Sequence, residues 1–160
     1  METSVLNEVG SVPEDRFLAA FEAFAQAVRR ARGAPAQAGD RALTLSQYSL
    51  LQGLTDRDAA RVQELAVDAG ITASTATRIL DVLERRAIVE RTRSDEDRRA
   101  VIVTLTASGR ALLEGQTEWL RGCQRQFFAT LPRRERELAP DLLLRLSAFI
   151  DELAAGPSEL

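Results

Sequence analysis

The side chains in this chain best placed to bind something are hydroxyls and guanidinium groups set close together. Ser74, Thr77 and Arg78 form one group, and Arg91, Arg93, Arg98 and Arg99 form the next. Such groups read base edges and grip phosphate, and neither titrates near neutral pH. The chain has no histidine, all 21 basic residues are arginine, and Cys123 is the single cysteine. A histidine general base, a histidine- or thiolate-cluster metal site and an intrachain disulfide are therefore excluded, which leaves only carboxylate sites. An enzyme built on this sequence would depend on carboxylates, Tyr48, hydroxyls or Cys123, and no paired spacing or glycine-rich phosphate loop stands out. No metal and no cofactor are expected.

The elements that must position these groups follow one another without slack. Val62, Leu65, Ala66 and Ala69 recur at helical spacing and stop at Gly70, the residue type that tolerates a left-handed helix end. Ile71 plugs the turn, and Thr72 is placed to cap the next helix over 72–86, whose apolar positions are Ala76, Ile79, Leu80 and Leu83. Its opposite face carries Ala73, Ser74, Thr77, Arg78, Asp81 and Arg85, small and hydrogen-bonding at the leading end and charged beyond. A helix that enters a major groove needs that profile, because bulky or acidic groups at its leading end clash with bases or repel phosphate. Thr75 lies toward Ile79 and Leu83 and is expected to be partly in the core. Two strand-like runs, Ile88 to Thr92 and Val101 to Leu105, then bracket the polar stretch 93–99, which reads as a hairpin wing over 88–105. The order predicts a mainly α fold with a small β-hairpin wing: a winged helix-turn-helix lobe over 43–105.

Several fixed positions in this stretch also match a known pattern. Asp97, Arg99, Leu105, Thr106 and Gly109 reproduce D-x-R-x5-L-T-x2-G, and Leu45, Gln47, Tyr48 and Leu51 fit L-x-x-Q-[WY]-x-x-L. With both motifs in register, the chain resembles the MarR family of transcriptional regulators over roughly residues 43 to 113. One departure is Ala87, where such proteins usually carry glycine to end the recognition helix. The resemblance implies a homodimer whose N- and C-terminal helices intertwine. Two recognition helices would then enter successive major grooves of a pseudopalindromic operator, with repression as the default outcome. It also implies that Asp97 shapes the wing while an arginine enters the minor groove, and Arg98 and Arg99 both qualify. Finally it implies an effector cleft between the dimerisation helices and the DNA-binding lobe, suited to a small aromatic or phenolic compound. Arg16, Phe17, Phe21, Tyr48 and Trp119 could line it, although aromatics at helical spacing are also ordinary core.

The flanks read as helix. Phe17, Phe21, Phe24 and Val28 predict one from Glu14 to about Arg30, and 33–42 reads as a flexible connector. Ser46 to Gly53 predicts a short helix, and Thr55 to Asp58 a turn. Thr106 would cap a long helix toward Thr130 with Leu113, Leu120, Cys123 and Phe127 in one stripe, which makes Cys123 a structural rather than a reactive thiol. Pro132 suits the first turn of a last helix, whereas Pro140 should kink or divide it. That helix has the apolar face Leu138, Leu142, Leu146, Phe149 and Leu153, and the tail 156–160 reads as frayed. Segments 14–31 and 106–154 carry more apolar surface than a small lobe can cover, so a second subunit is expected to cover it.

The net charge of −3 argues against a nucleic-acid partner, but its distribution argues back. Residues 72–104 carry seven arginines against six acids, and the rest of the chain carries 14 against 18. No apolar run approaches the roughly 20 residues needed to span a bilayer, so a cytoplasmic protein is expected. Two other function classes fit these residues less well. A winged helix serving only protein contacts would lack arginine on its wing and helix face, unlike Arg78, Arg91, Arg98 and Arg99, and a small enzyme lacks the residues noted above.

Overall fold

The computed structural model describes residues 11–33, 43–93 and 100–155. They fall into two compact units, divided after Gln116. The first holds α1 (Ser11–Gly33), α2 (Leu45–Gln52), β1 (Ala59–Arg61), α3 (Val62–Asp68), α4 (Ala73–Arg85), β2 (Val89–Arg93), β3 (Val101–Leu105) and the start of α5 (Ala107–Thr130). The second holds the end of α5 and α6 (Arg133–Ala155). The connector at 34–42, the wing tip at 94–99 and the tail at 156–160 lie outside the described residues.

Each helix of the lobe starts and stops for a local reason. At α2 the Thr44 hydroxyl accepts from the Gln47 N–H (3.2 Å), and the Gln47 side chain accepts from the Thr44 N–H (3.0 Å). This reciprocal cap gives Gln47 its place in the motif. The Glu64 carboxylate turns back to the Arg61 N–H at 2.9 Å to open α3. Gly70, at φ 63°, closes that helix, with Gly70 N–H donating to Val67 C=O and Ile71 N–H to Ala66 C=O. Thr72 caps α4 through the Thr75 N–H at 3.2 Å. The far end of α4 closes with the same pair of bonds, Ala87 N–H to Glu84 C=O (2.8 Å) and Ile88 N–H to Leu83 C=O (2.9 Å). Ala87 therefore takes the glycine role at φ 54°, a left-handed conformation that costs an L-residue about 1–2 kcal/mol. The helix ends where a glycine would have ended it.

The core of this unit is made by Leu43, Leu50, Leu51 and Leu54 around α2, Leu65 and Ala66 on α3, and Ala76, Leu80 and Leu83 on α4, closed by Ile88, Val89, Val103 and Leu113. Removing each large aliphatic side chain from water contributes about 1.5–3 kcal/mol. These contacts hold the apolar stripe of α4 down and leave its other face outward. The sheet has three antiparallel strands in the order β1-β3-β2, with Ala60 opposite Val103 and Arg91 opposite Val103 on the other side. The sequence reading expected only the two-stranded hairpin. Three residues are too short to show alternation, so β1 is defined by its partner and not by its own pattern.

Other expectations are corrected by the structure. The first helix runs three residues beyond Arg30, to Gly33. Pro132 sits just before α6 and not within its first turn, its carbonyl accepting from the Arg136 N–H at 3.0 Å. Pro140 does not divide α6, which runs through it. Proline denies one N–H to the Arg136 carbonyl, and both residues are exposed, so water can serve that carbonyl instead. Thr75 is exposed and not part of the core, because its place in the first turn of α4 turns it to the Thr72 cap. Among the described residues α6 has none buried, and Leu138, Leu142, Phe149 and Leu153 are all exposed.

Candidate nucleic-acid interface

Ala73, Ser74, Thr77 and Arg78 are all exposed and neighbour one another on the leading end of α4. The hydroxyl groups there are mutually arranged. Thr72 Oγ1 lies 3.0 Å from Ser74 Oγ and 2.9 Å from Thr75 Oγ1, while Thr77 Oγ1 donates to the Ala73 carbonyl at 2.9 Å. The Thr77 hydrogen is committed to its own helix, so this oxygen is left to accept, as a base amino group requires. No acid occurs from Thr72 to Leu80. The positive end of the helix dipole and the first-turn N–H groups that the Thr72 cap leaves open add to a leading end that favours an anionic backbone nearby. Among the described residues Arg78 makes no ion pair, and neither does Arg85 two turns further on.

The wing arginines divide. Arg93 is exposed at the end of β2. Arg91 is half-buried, and its guanidinium turns back over α4. Nη2 donates to Asp81 Oδ1 at 2.7 Å, Nε donates to Glu84 Oε2 at 3.0 Å, and Nη2 also reaches Glu84 Oε2. The hydrogen bond that Arg91 donates holds the Glu84 carboxyl below its usual value of 4.5, and the same bond raises the Arg91 guanidinium. Sequence reasoning placed Arg91 with the DNA contacts, whereas the structure engages it on the recognition helix itself. Its partners lie 7 and 10 residues away, and no local spacing announces them. Asp97, Arg98 and Arg99 lie outside the described residues.

The Leu105-Thr106-x-x-Gly109 part of the motif locks the end of α4 to the start of α5. Leu105 pairs with Val89 in the sheet. Thr106 Oγ1 caps α5 through the Gly109 N–H (2.9 Å) and donates to the Ala87 carbonyl (2.7 Å), and its N–H donates to the Ile88 carbonyl (3.1 Å). Ser108 Oγ donates to Ala87 C=O as well, at 3.1 Å. A Cβ at position 109 would stand 1.9 Å from the Ile88 oxygen, so only glycine allows the approach. The strained Ala87 turn is thus held from outside by α5.

The residues expected to line a cleft are placed as follows. The rings of Phe17 and Phe21 lie 6.2 Å apart on α1, tilted by 34°, with Arg16 exposed beside them. Tyr48 is buried in the core, where its hydroxyl accepts from Gln52 Nε2 at 3.0 Å. Trp119 belongs to the second unit. Cys123 and Phe127, both expected in the apolar stripe of the long helix, are exposed, Phe127 at 66%. Among the described residues no group of three or more carboxylates and thiols could hold a metal ion.

A buried-stripe helix, a capped turn, an outward hydroxyl and arginine face and a strand pair behind it define a winged helix-turn-helix. Comparison with known proteins takes this further. The model of the MarR family matches residues 43–101, and the uncharacterized HTH-type transcriptional regulator YxaD of Bacillus subtilis is 32% identical over 110 residues, 68% of this chain and 77% of that one. The chain belongs to the MarR family, whose members regulate transcription and are not enzymes. It spans about half the length of other curated relatives it matches, at 48% and 51%. Bordetella bronchiseptica BpsR, whose DNA binding is regulated by 6-hydroxynicotinic acid, is similar at 29% identity and a TM-score of 0.57, over 68% of this chain and 83% of that one. Streptococcus pneumoniae FabT, solved in complex with DNA, shares the fold at 20% identity and a TM-score of 0.66, over 88% and 97% of the two chains.

Proposed function

We propose that this protein is a sequence-specific, DNA-binding transcriptional repressor, acting in the cytoplasm as a homodimer on a pseudopalindromic operator and released by a small aromatic or phenolic effector. The observation that carries this reading is the leading face of α4. Ala73, Ser74, Thr77 and Arg78 stand outward, free of acids, on a helix whose other side buries Ala76, Leu80 and Leu83. Arg78 is the base or phosphate reader, and the hydroxyls supply further acceptors and donors to base edges. Arg93, Arg98 and Arg99 supply backbone or minor-groove contacts from the wing. The dimer follows from α6, where Leu138, Leu142, Phe149 and Leu153 are 46–64% exposed and need a cover that a second copy provides. Segments 14–31 and 106–154 are the dimerisation helices in this reading, flanking the DNA-binding lobe 43–105. The exposed Phe17 beside Phe21, with Arg16 as a polar handle, is where an aromatic acid would enter, as the regulation of BpsR by 6-hydroxynicotinic acid encourages.

Enrichment of tight binders from a random-sequence duplex pool tests the reading. The expected product is one pseudopalindromic element that binds two chains per duplex in sedimentation and lowers transcription from a promoter carrying it. Recovered duplexes without a common element, or a one-to-one complex, would overturn it.

A further inference from the structure

Arg91 sits mid-strand in β2, its backbone fixed by pairing with Val103, and its side chain crosses to two carboxylates one turn apart on α4. Its side chain is 22% exposed against 41% and 40% for Asp81 and Glu84, so the guanidinium lies under the carboxylates. Asp81 follows Arg78 by three residues and precedes Arg85 by four, spacings at which helix side chains meet. Without Arg91 the cations left within helix reach of Asp81 are Arg78 and Arg85, so Arg78 would be drawn into pairing, and two uncompensated acids would face the phosphates approached by the same helix. Resting on the DNA-binding reading above, we infer that Arg91 is a positioning residue: by holding Asp81 and Glu84 it keeps Arg78 unpaired and available to DNA, without touching DNA itself.

The geometry supports this over a phosphate contact. Two nitrogens of the fork are already committed, and drawing them to phosphate would strand both carboxylates beside the duplex. It also differs from a purely mechanical tie between wing and helix. A tie is broken equally from either end, whereas a mask becomes unnecessary once the acids are gone.

A double-mutant cycle on the full chain separates these roles. Affinity for the enriched duplex is measured by fluorescence anisotropy for the parent, R91A, the pair D81N/E84Q and the triple variant. Far-UV circular dichroism confirms that each is folded at the assay temperature. R91A is expected to bind at least about fivefold more weakly, D81N/E84Q as tightly as the parent or tighter, and the triple variant within about twofold of D81N/E84Q. If D81N/E84Q binds as weakly as R91A, Arg91 is only a mechanical tie and the inference falls. If R91A costs the same factor in both backgrounds, with a salt slope lower by about one per half-site, Arg91 touches phosphate and the inference falls as well. Should R91A fail to fold, R91Q, which keeps much of the stem, takes its place with the same expected pattern. A parent chain that binds no duplex at all would overturn the DNA-binding reading, a distinct failure.

Discussion

Replacing Gly109 by alanine attacks the joint on which the placement of α4 depends. The new Cβ would meet the Ile88 oxygen at 1.9 Å, and real Cβ contacts essentially never fall under 3.0 Å, so the turn and α5 must separate by more than 1 Å. A shift of that size breaks the 3.1 Å bond from Thr106 N–H to Ile88 C=O, and it strains the 2.7 Å and 3.1 Å bonds from Thr106 and Ser108 to Ala87 C=O. Two or three lost hydrogen bonds at about 1 kcal/mol each outweigh the gain of up to about 1 kcal/mol that alanine brings to a helix. The net expectation is a loss of about 2 kcal/mol. Gly115 in the same helix is the internal control. A Cβ there meets nothing within 4 Å, so Gly115→Ala should stabilise by up to about 1 kcal/mol. Urea unfolding followed by far-UV circular dichroism at fixed chain concentration compares the two. Equal effects of the same sign would refute the account of the joint.

Ala87→Gly should raise the urea midpoint, by about 0.5–1 kcal/mol in stability, because relief at φ 54° exceeds the entropy that glycine adds to the unfolded chain; a lower midpoint would contradict the left-handed turn. The Arg91–Glu84 bond should stabilise the lobe above the ordinary glutamate value of 4.5 and lose that effect as pH falls through the depressed pKa of Glu84. The gap in urea midpoint between the parent and Glu84→Gln should therefore be constant near neutrality and close in acid. The pair Arg98→Ala, Arg99→Ala should weaken specific and non-specific duplexes alike and flatten the salt dependence, measured by anisotropy across a salt series. Parent-like binding of both duplexes at every salt concentration would make the wing a solvated turn.

What the sequence disclosed and what it hid follow from the range of the interactions. Gly70 and Thr72 act on their own helix ends, and Leu65, Ala76, Leu80 and Leu83 recur at the helical period, so local pattern was enough to place α3 and α4. The outward face of α4 follows automatically once its inner stripe is known. Strand β1 exists only because Ala60 pairs with Val103, 43 residues away in sequence, and three residues carry no period of their own. Ala87 hides its left-handed backbone because alanine is no turn former, and the clamp that holds it comes from Thr106 and Ser108. Arg91 resembles every other wing arginine until the fold brings Asp81 and Glu84 to its guanidinium. The Thr44-x-x-Gln47 cap, by contrast, is a local capping box whose spacing is legible in the sequence.

The central claim is that the leading face of α4 reads DNA through Arg78. Anisotropy titration of the parent and Arg78→Ala, on the enriched element and on a scrambled duplex at one salt concentration, tests it most directly. The account predicts that the variant stays folded, loses about 1–3 kcal/mol per half-site on the element, and relaxes discrimination at one base position, with much less change on the scrambled duplex. An Arg78→Ala chain that binds both duplexes as the parent does would contradict it.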